Sequence, residues 1–324
     1  MTRFIEKWRA TAGVEFTCAT IGCPVSTYYE RRNREPCLRE LQDRVLLLKI
    51  HEARAGYGRV YGVRKTWRKL LRMGIDVGRD RVARLMRREG LVGCLRGKKR
   101  TTTPDETAAD RARDLVQRRF EATEPNQLWV ADFTYVRTFQ GFAYVAFILD
   151  VHSRMIVGWQ IATHMRAELV LDALEMANAL RQPAPGLVAH SDRGSQYTSL
   201  VYTERLEEIE ASPSVGSRGD AYDNAMAEAW VGTYKAELVD WLGRTSYQQL
   251  EQETMAWISF YNHERLHESL GDVPPAEFEA TGSPQSPAKP AAEPPTSPRE
   301  SFRRTVRRQT KSIRKDLQPL HGNP

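Results

Sequence analysis

Long apolar runs are missing from this chain of 324 residues. No stretch of about 18 consecutive apolar residues occurs, which excludes a membrane-spanning helix. Met1 to Arg9 is polar and no apolar segment resembling a secretion signal follows, so a cytosolic location is expected. Cysteine is scarce: Cys18, Cys23, Cys37 and Cys94 show no C-x-x-C spacing and no nearby histidines. That argues against a structural zinc and for idle thiols in a reducing compartment. Internal repeats are absent as well. With 41% hydrophobic and 27% charged residues, the chain can nevertheless bury a sizeable core and is not wholly disordered.

What the chain has is an uneven distribution of charge. Residues 1–104 hold 25 Lys and Arg against 10 Asp and Glu, residues 105–282 hold 14 against 28, and residues 283–324 hold 9 against 3. A strongly basic front end points to a polyanion, because each neutralised phosphate releases counterions. A carboxylate-rich middle suits metal ions better than bare phosphate. The expected division is therefore a small helical segment at 1–37, a DNA-binding region with a basic linker at 38–104, an α/β core with a helical extension at 105–282, and a disordered Pro-rich basic tail at 283–324.

In the first segment, Gly22-Cys23-Pro24 breaks the chain before a short helix that Ser26 or Thr27 would cap. Leu38, Leu41, Val45 and Leu48 recur at helical spacing. A second helix is expected from about Arg59 to Met73, with Gly74 ending it. A third, about Arg79 to Glu89, sets Val82, Leu85 and Met86 on one face and Arg79, Arg81, Arg84, Arg87 and Arg88 on the other. Helix, short Gly-containing turn and basic helix make a helix-turn-helix pattern, in which the second helix enters the major groove. Arg79, Arg81, Arg84 and Arg88 are the expected DNA contacts.

From Gln127 the texture changes to β-prone runs at Leu128–Arg137, Phe142–Val151 and Met155–Ala162, which read as an antiparallel meander. A helix at Arg166–Arg181, a short strand at Leu187–His190 and a helix at Ser199–Glu210 follow. Together they fit a mixed sheet covered by helices. Two more helices are expected at 219–238 and 246–261, the latter with Met255, Ile258 and Tyr261 inward.

Three carboxylates stand out by position. Asp132 lies inside the first apolar strand, where burial is costly unless a metal or hydrogen bond compensates it. Asp192 follows the short fourth strand, at the end where ligands gather in α/β sheets. Glu228 lies mid-helix among Ala225, Ala227 and Ala229, which let that helix approach the sheet. Three oxygen donors converging in this way suit Mg²⁺. Two ions about 3.5–4 Å apart can activate an attacking oxygen and stabilise the leaving one, so no protein nucleophile is needed. Lys235 lies seven residues after Glu228, about 20° short of two helical turns. It therefore shares the Glu228 face, where it can hold a phosphate, as does Asn224 four residues before. Asp150 reads as a turn organiser with Ser153 and Arg154, His190 as a packed histidine, and His263 and His267 as local hydrogen-bonding residues.

The trio is separated by 59 and then 35 intervening residues. This resembles the DDE triad of the transposase and retroviral integrase superfamily. Trp129-Val130-Ala131-Asp132-Phe133-Thr134-Tyr135-Val136 and His190-Ser191-Asp192-Arg193-Gly194-Ser195-Gln196-Tyr197 resemble the first two motifs of IS-three-type insertion-sequence transposases. Asp223-Asn224-Ala225 through Glu228, with Tyr234-Lys235-Ala236-Glu237-Leu238, resembles the third. Tyr261-Asn262-His263-Glu264-Arg265-Leu266-His267 and Pro274-Pro275 resemble the closing signature. Ala131 stands where a Thr is frequent. The resemblance implies a ribonuclease-H-like five-stranded core and Mg²⁺ as cofactor, two ions per site, with Mn²⁺ able to substitute. It also implies cleavage and strand transfer at terminal inverted repeats and target DNA, assembly as a homo-multimer, an upstream-frame DNA-binding partner, and a bacterial nucleoid location. Two other readings stand beside it: an inert helix-turn-helix regulator, and a nuclease that hydrolyses without joining.

Overall fold

The computed structural model describes residues 1–95, 116, 120–192, 196–197, 199–215 and 225–281. The expected basic linker at Lys98–Arg100, the tail 283–324 and Asn224 lie outside the described residues. Two compact units divide the chain, one ending at His51 and the other beginning at Glu52.

In the first unit, α1 (Thr2–Ala12), α2 (Val14–Thr20) and α3 (Val25–Asn33) close around Ile5, Cys18 and Tyr28. Helix α3 starts one residue before the expected caps: Pro24 occupies the N-cap position and no side chain caps the end. Proline's fixed φ and missing N–H are tolerated at a helix start. Helix α4 (Leu38–Ala53) buries Leu41, Val45, Leu46 and Ile50 but exposes Leu38 and Leu48. Periodicity identified an apolar face there and placed its centre a few residues off. All four cysteines are free thiols.

The second unit opens with a 3₁₀ turn at Gly56–Val60, and only then α5 (Val63–Arg72). The expected single helix from Arg59 is split because the Arg54 guanidinium takes the carbonyls of Arg59 and Tyr61, and that of Val92. Those carbonyls are thereby withdrawn from helical bonding. After Gly74, at φ +75°, comes α6 (Arg79–Arg88), with Val82, Leu85 and Met86 buried as expected. The Trp67 indole N–H donates to the Val77 carbonyl at 2.7 Å and holds the turn between the helices.

The core is a five-stranded sheet in the order β3-β2-β1-β4-β5. Strands β1 (Leu128–Thr138), β2 (Gly141–Asp150) and β3 (Ile156–Ala162) form the antiparallel meander. Helix α7 (Ala167–Arg181) crosses back, exposing Leu180, and β4 (Val188–Ser191) runs parallel to β1. Ser199 caps α8 (Leu200–Glu208), and β5 (Ser212–Val215) adds a parallel edge. Helix α9 (Ala225–Tyr234) runs into a π-turn at Lys235–Val239, then α10 (Asp240–Leu242). Helix α11 (Tyr247–His263) and α12 (Pro275–Thr281) close the unit, with Ile258 and Tyr261 buried but Met255 exposed.

Alternation along β1 divides the two faces. Leu128, Val130 and Val136 join Trp230, Tyr234, Trp257 and Tyr261 in one core layer. Trp129 and Ala131 join α7, α8 and Tyr197 in the other. Asp132 therefore falls on the α9 side and Ala131 on the opposite side, so the unusual Ala131 does not share the carboxylate's face.

Candidate active site

Parallel pairing sets the first two carboxylates side by side. The β1–β4 register ends at Ala131↔Ser191, so Asp132 on β1 and Asp192 just past the end of β4 each follow the last paired residue of the two neighbouring strands. The third arrives with α9. Across the antiparallel pair, Asp132 faces Phe147, and the Phe147 ring lies 3.7 Å from that of Trp230. Trp230 also stacks on Tyr234 at 5.5 Å and meets Trp257 edge to face. These contacts fix α9 at the level of Asp132, with half-buried Glu228 two residues before Trp230.

Asp132 is half-buried, and its carboxyl is pushed up to about 8, first by desolvation and then by the charge of Asp192, with Glu228 adding to it. Opposing these are the Phe133 N–H, which donates to Asp132 Oδ1 at 2.8 Å, and the Lys235 ammonium. Burial lowers the Lys235 pKa, while Asp132 and Asp240 favour its charge. Lys235 begins the π-turn, the kind of helix irregularity that clusters at functional sites. Glu228 and Lys235 both bear on Asp132, with opposite sign.

One buried group in this neighbourhood escaped the sequence reading. Tyr197 is buried between Phe133 and Tyr202, and its hydroxyl has no hydrogen-bond partner among the described residues. Burial holds the phenol well above its usual range, and both Asp132 and Asp192 push it further. Nothing local in Gln196-Tyr197-Thr198 signals that burial.

A divalent cation fits this chemistry. A carboxyl whose proton affinity is raised by neighbouring carboxylates, as that of Asp132 is, is in the state that a nearby cation relieves. Among the described residues no three His, Cys, Asp or Glu side chains are gathered closely enough to hold a metal. The fit therefore rests on the donor set and its mutual repulsion.

The closing signature, quoted for resemblance alone, turns out to position α9. Asn262 Oδ1 accepts from the Ile156 N–H at 3.0 Å and its amide donates to the Ile156 carbonyl at 2.9 Å, joining α11 to β3. Arg265 reaches across to Glu237 on the π-turn in a buried ion pair, with N–O distances of 2.7–3.2 Å. His267 packs edge to face on Tyr261 at 4.6 Å. Its ring is driven down to about 2 by desolvation, then by the charge of Arg265. His263 ends α11 exposed.

The remaining site candidates behave more simply. His190 is packed, its Nδ1 2.9 Å from Ser214 Oγ on β5. Asp150 organises its turn, accepting from the Ser153 N–H and hydroxyl at 2.9 Å and from the Asn126 N–H at 2.7 Å. On α6, Arg79, Arg84 and Arg88 are exposed and Arg81 is half-buried. Arg79 and Arg88 pair loosely with their neighbours Asp80 and Glu89. The α5 face is committed elsewhere: Arg64 and Arg68 meet Asp272 at 3.3 and 3.1 Å, and Arg72 meets Glu277.

Residues 122–221 and 210–275 match integrase core domain families, and residues 40–99 match an HTH-like domain. The chain is 49% identical over 264 residues to the putative transposase for insertion sequence element IS986/IS6110 of Mycobacterium tuberculosis, covering 79% of this chain and 94% of that one. It is 48% identical over 284 residues to the transposase for insertion sequence element IS629 of Shigella sonnei, covering 86% and 95%. Among solved structures, the HTLV-2 integrase catalytic core domain in complex with magnesium aligns at 15% identity and a TM-score of 0.40, over 48% of this chain and 97% of that one.

Proposed function

The chain belongs to the insertion-sequence transposases with an integrase core domain, and we propose that Asp132, Asp192 and Glu228 are the carboxylates with which it cuts and joins DNA strands. The observation that supports this is the half-buried Asp132 carboxyl under the combined charge of Asp192 and Glu228.

In this reading the three side chains hold two Mg²⁺ ions, or Mn²⁺ in their place. When bound, the metal supplies Lewis acidity to the scissile phosphate and to the attacking hydroxyl. The protein's own part is placement. The β1–β4 pairing that ends one residue before Asp132 and Asp192, and the aromatic contacts Phe147–Trp230–Tyr234 that anchor the Glu228 helix, support this. Lys235 neutralises a backbone phosphate beside the carboxylates. The nucleophile is water in the cutting step and a DNA 3′-hydroxyl in the joining step. Each is a displacement at phosphorus in which one P–O bond forms as another breaks.

The arginines of α6, with Asn224, contact the terminal inverted repeats, and the basic segment 1–37 adds grip. The active species is a homo-multimer on paired ends, together with an upstream-frame DNA-binding product, at the bacterial nucleoid. A gel shift run with and without Mg²⁺, beside a cleavage assay on the same DNA, tests the assignment. Metal-dependent cleavage supports it, whereas metal-indifferent binding without cleavage would mark the chain as an inert regulator.

A further inference from the structure

Beyond Asp132 the β1–β2 hairpin projects a tip that the triad does not use. Three large aromatic side chains lie open there: Tyr135 is 56%, Phe139 67% and Phe142 46% exposed. Each carries a cation. Lys235 Nζ lies 5.1 Å from the centre of the Tyr135 ring, the Arg137 guanidinium 5.6 Å from Phe142, and the Arg244 guanidinium 5.9 Å from Phe139. Tyr135 and Phe142 meet edge to face at 5.5 Å.

The tip is also held in place. The Phe139 N–H donates to the Thr245 carbonyl at 2.9 Å, and Arg244 Nε donates to the Thr138 carbonyl at 3.2 Å. The Tyr247 N–H donates to Gln140 Oε1 at 3.2 Å. Two-residue hairpin tips ordinarily carry Asn-Gly or Asp-Gly, yet this one spends a phenylalanine at full exposure. Exposed rings interleaved with cations on an anchored tip are the build of a single-strand platform, in which bases stack on rings and phosphates meet charge.

We propose that Tyr135, Phe139 and Phe142, with Arg137, Arg244 and Lys235, form a stacking site for unpaired DNA bases next to the reacting strand end. The site's adjacency to chemistry rests on the triad reading above and on Lys235, which bears on both Tyr135 and Asp132, although alternation sets those two side chains on opposite faces of β1. Its capacity to bind unpaired bases does not rest on that reading.

The test is therefore a binding measurement without divalent metal, so that no strand chemistry contributes. Full-length wild type and the Phe139→Ala/Phe142→Ala variant are titrated with a duplex ending in an unpaired 3′ tail and with the same duplex fully paired. 2-Aminopurine in the tail reports stacking. The expected result is a loss of about fivefold or more for the tailed DNA, loss of 2-aminopurine quenching, and unchanged affinity for paired DNA. Phe139→Tyr/Phe142→Tyr should restore tailed binding. Equal losses on both DNAs, no loss on either, or a changed oligomeric state with unchanged DNA affinity would overturn the proposal, the last marking a surface for a second copy. Strand transfer by the triad variants is read separately, so either result can fail without the other.

Discussion

An aspartate in the middle of an apolar strand has to be compensated or protonated, and Asp132 is held toward the second state by its neighbours. Its folded value of about 8 lies above the ordinary 3.8. Between those pH values the metal-free folded state keeps a proton that the unfolded state gives up, so stability falls as pH rises. Asp132→Asn is expected to flatten that decline, whose limit is ~1.4 kcal/mol per pH unit for one proton. Urea unfolding at pH 5 and pH 8.5 checks it; an unchanged slope would mean Asp132 is solvated. His267 acts in the opposite direction. Its value of about 2 lies below the usual 6.5, so the unfolded state binds the extra proton and stability falls as pH drops below about 6.5. His267→Gln should lose less stability than the parent between pH 7 and pH 5.

Elements are held by a few contacts that local sequence does not announce. Gly158 on β3 lies so close to α7 that an added Cβ would stand 2.1 Å from the Ala173 carbonyl oxygen and 2.9 Å from Ala177 Cβ. Gly158→Ala is expected to destabilise by roughly 1–3 kcal/mol through overpacking, read as a lower urea midpoint. The Arg265–Glu237 pair clamps the π-turn. Arg265→Ala strands a buried carboxylate and should cost roughly 3–5 kcal/mol, whereas the double change Arg265→Met/Glu237→Leu should recover most of it. Neither relation was legible, because the partners are distant in sequence and ordinary in composition. The meander was legible, since alternation and Gly141 mark β1 and β2 directly. Strand β5 was not: Ser212-Pro213-Ser214-Val215 lacks a β signature, and Pro213 is tolerated because β5 is an edge. Leu38, Leu48 and Met255 fall on the expected apolar stripes yet are exposed, because spacing names an apolar stripe but not its covered part. The elements that carry Asp132 and Glu228, a strand and a helix, were legible from alternation and helical spacing. Tyr197 and the Phe139 tip were not, since exposure follows from tertiary packing.

For the whole molecule, charge divides the labour. The net charge of +7 conceals a basic front and an acidic core, and the acidic core needs either metal or a basic neighbour before it can approach DNA. The exposed Arg79 and Arg84 are expected to supply phosphate contacts. Replacing either with alanine should weaken binding and reduce the slope of log affinity against log salt by about one, measured by gel shift from 50 to about 200 mM salt. The most direct test of the central reading is the yield of joined product from labelled terminal-repeat DNA bearing a 3′-hydroxyl, in Mg²⁺. Wild type should join strands, and Asp132→Ala, Asp192→Ala and Glu228→Ala should each abolish joining while still binding the DNA; strand transfer surviving in any of the three would contradict it.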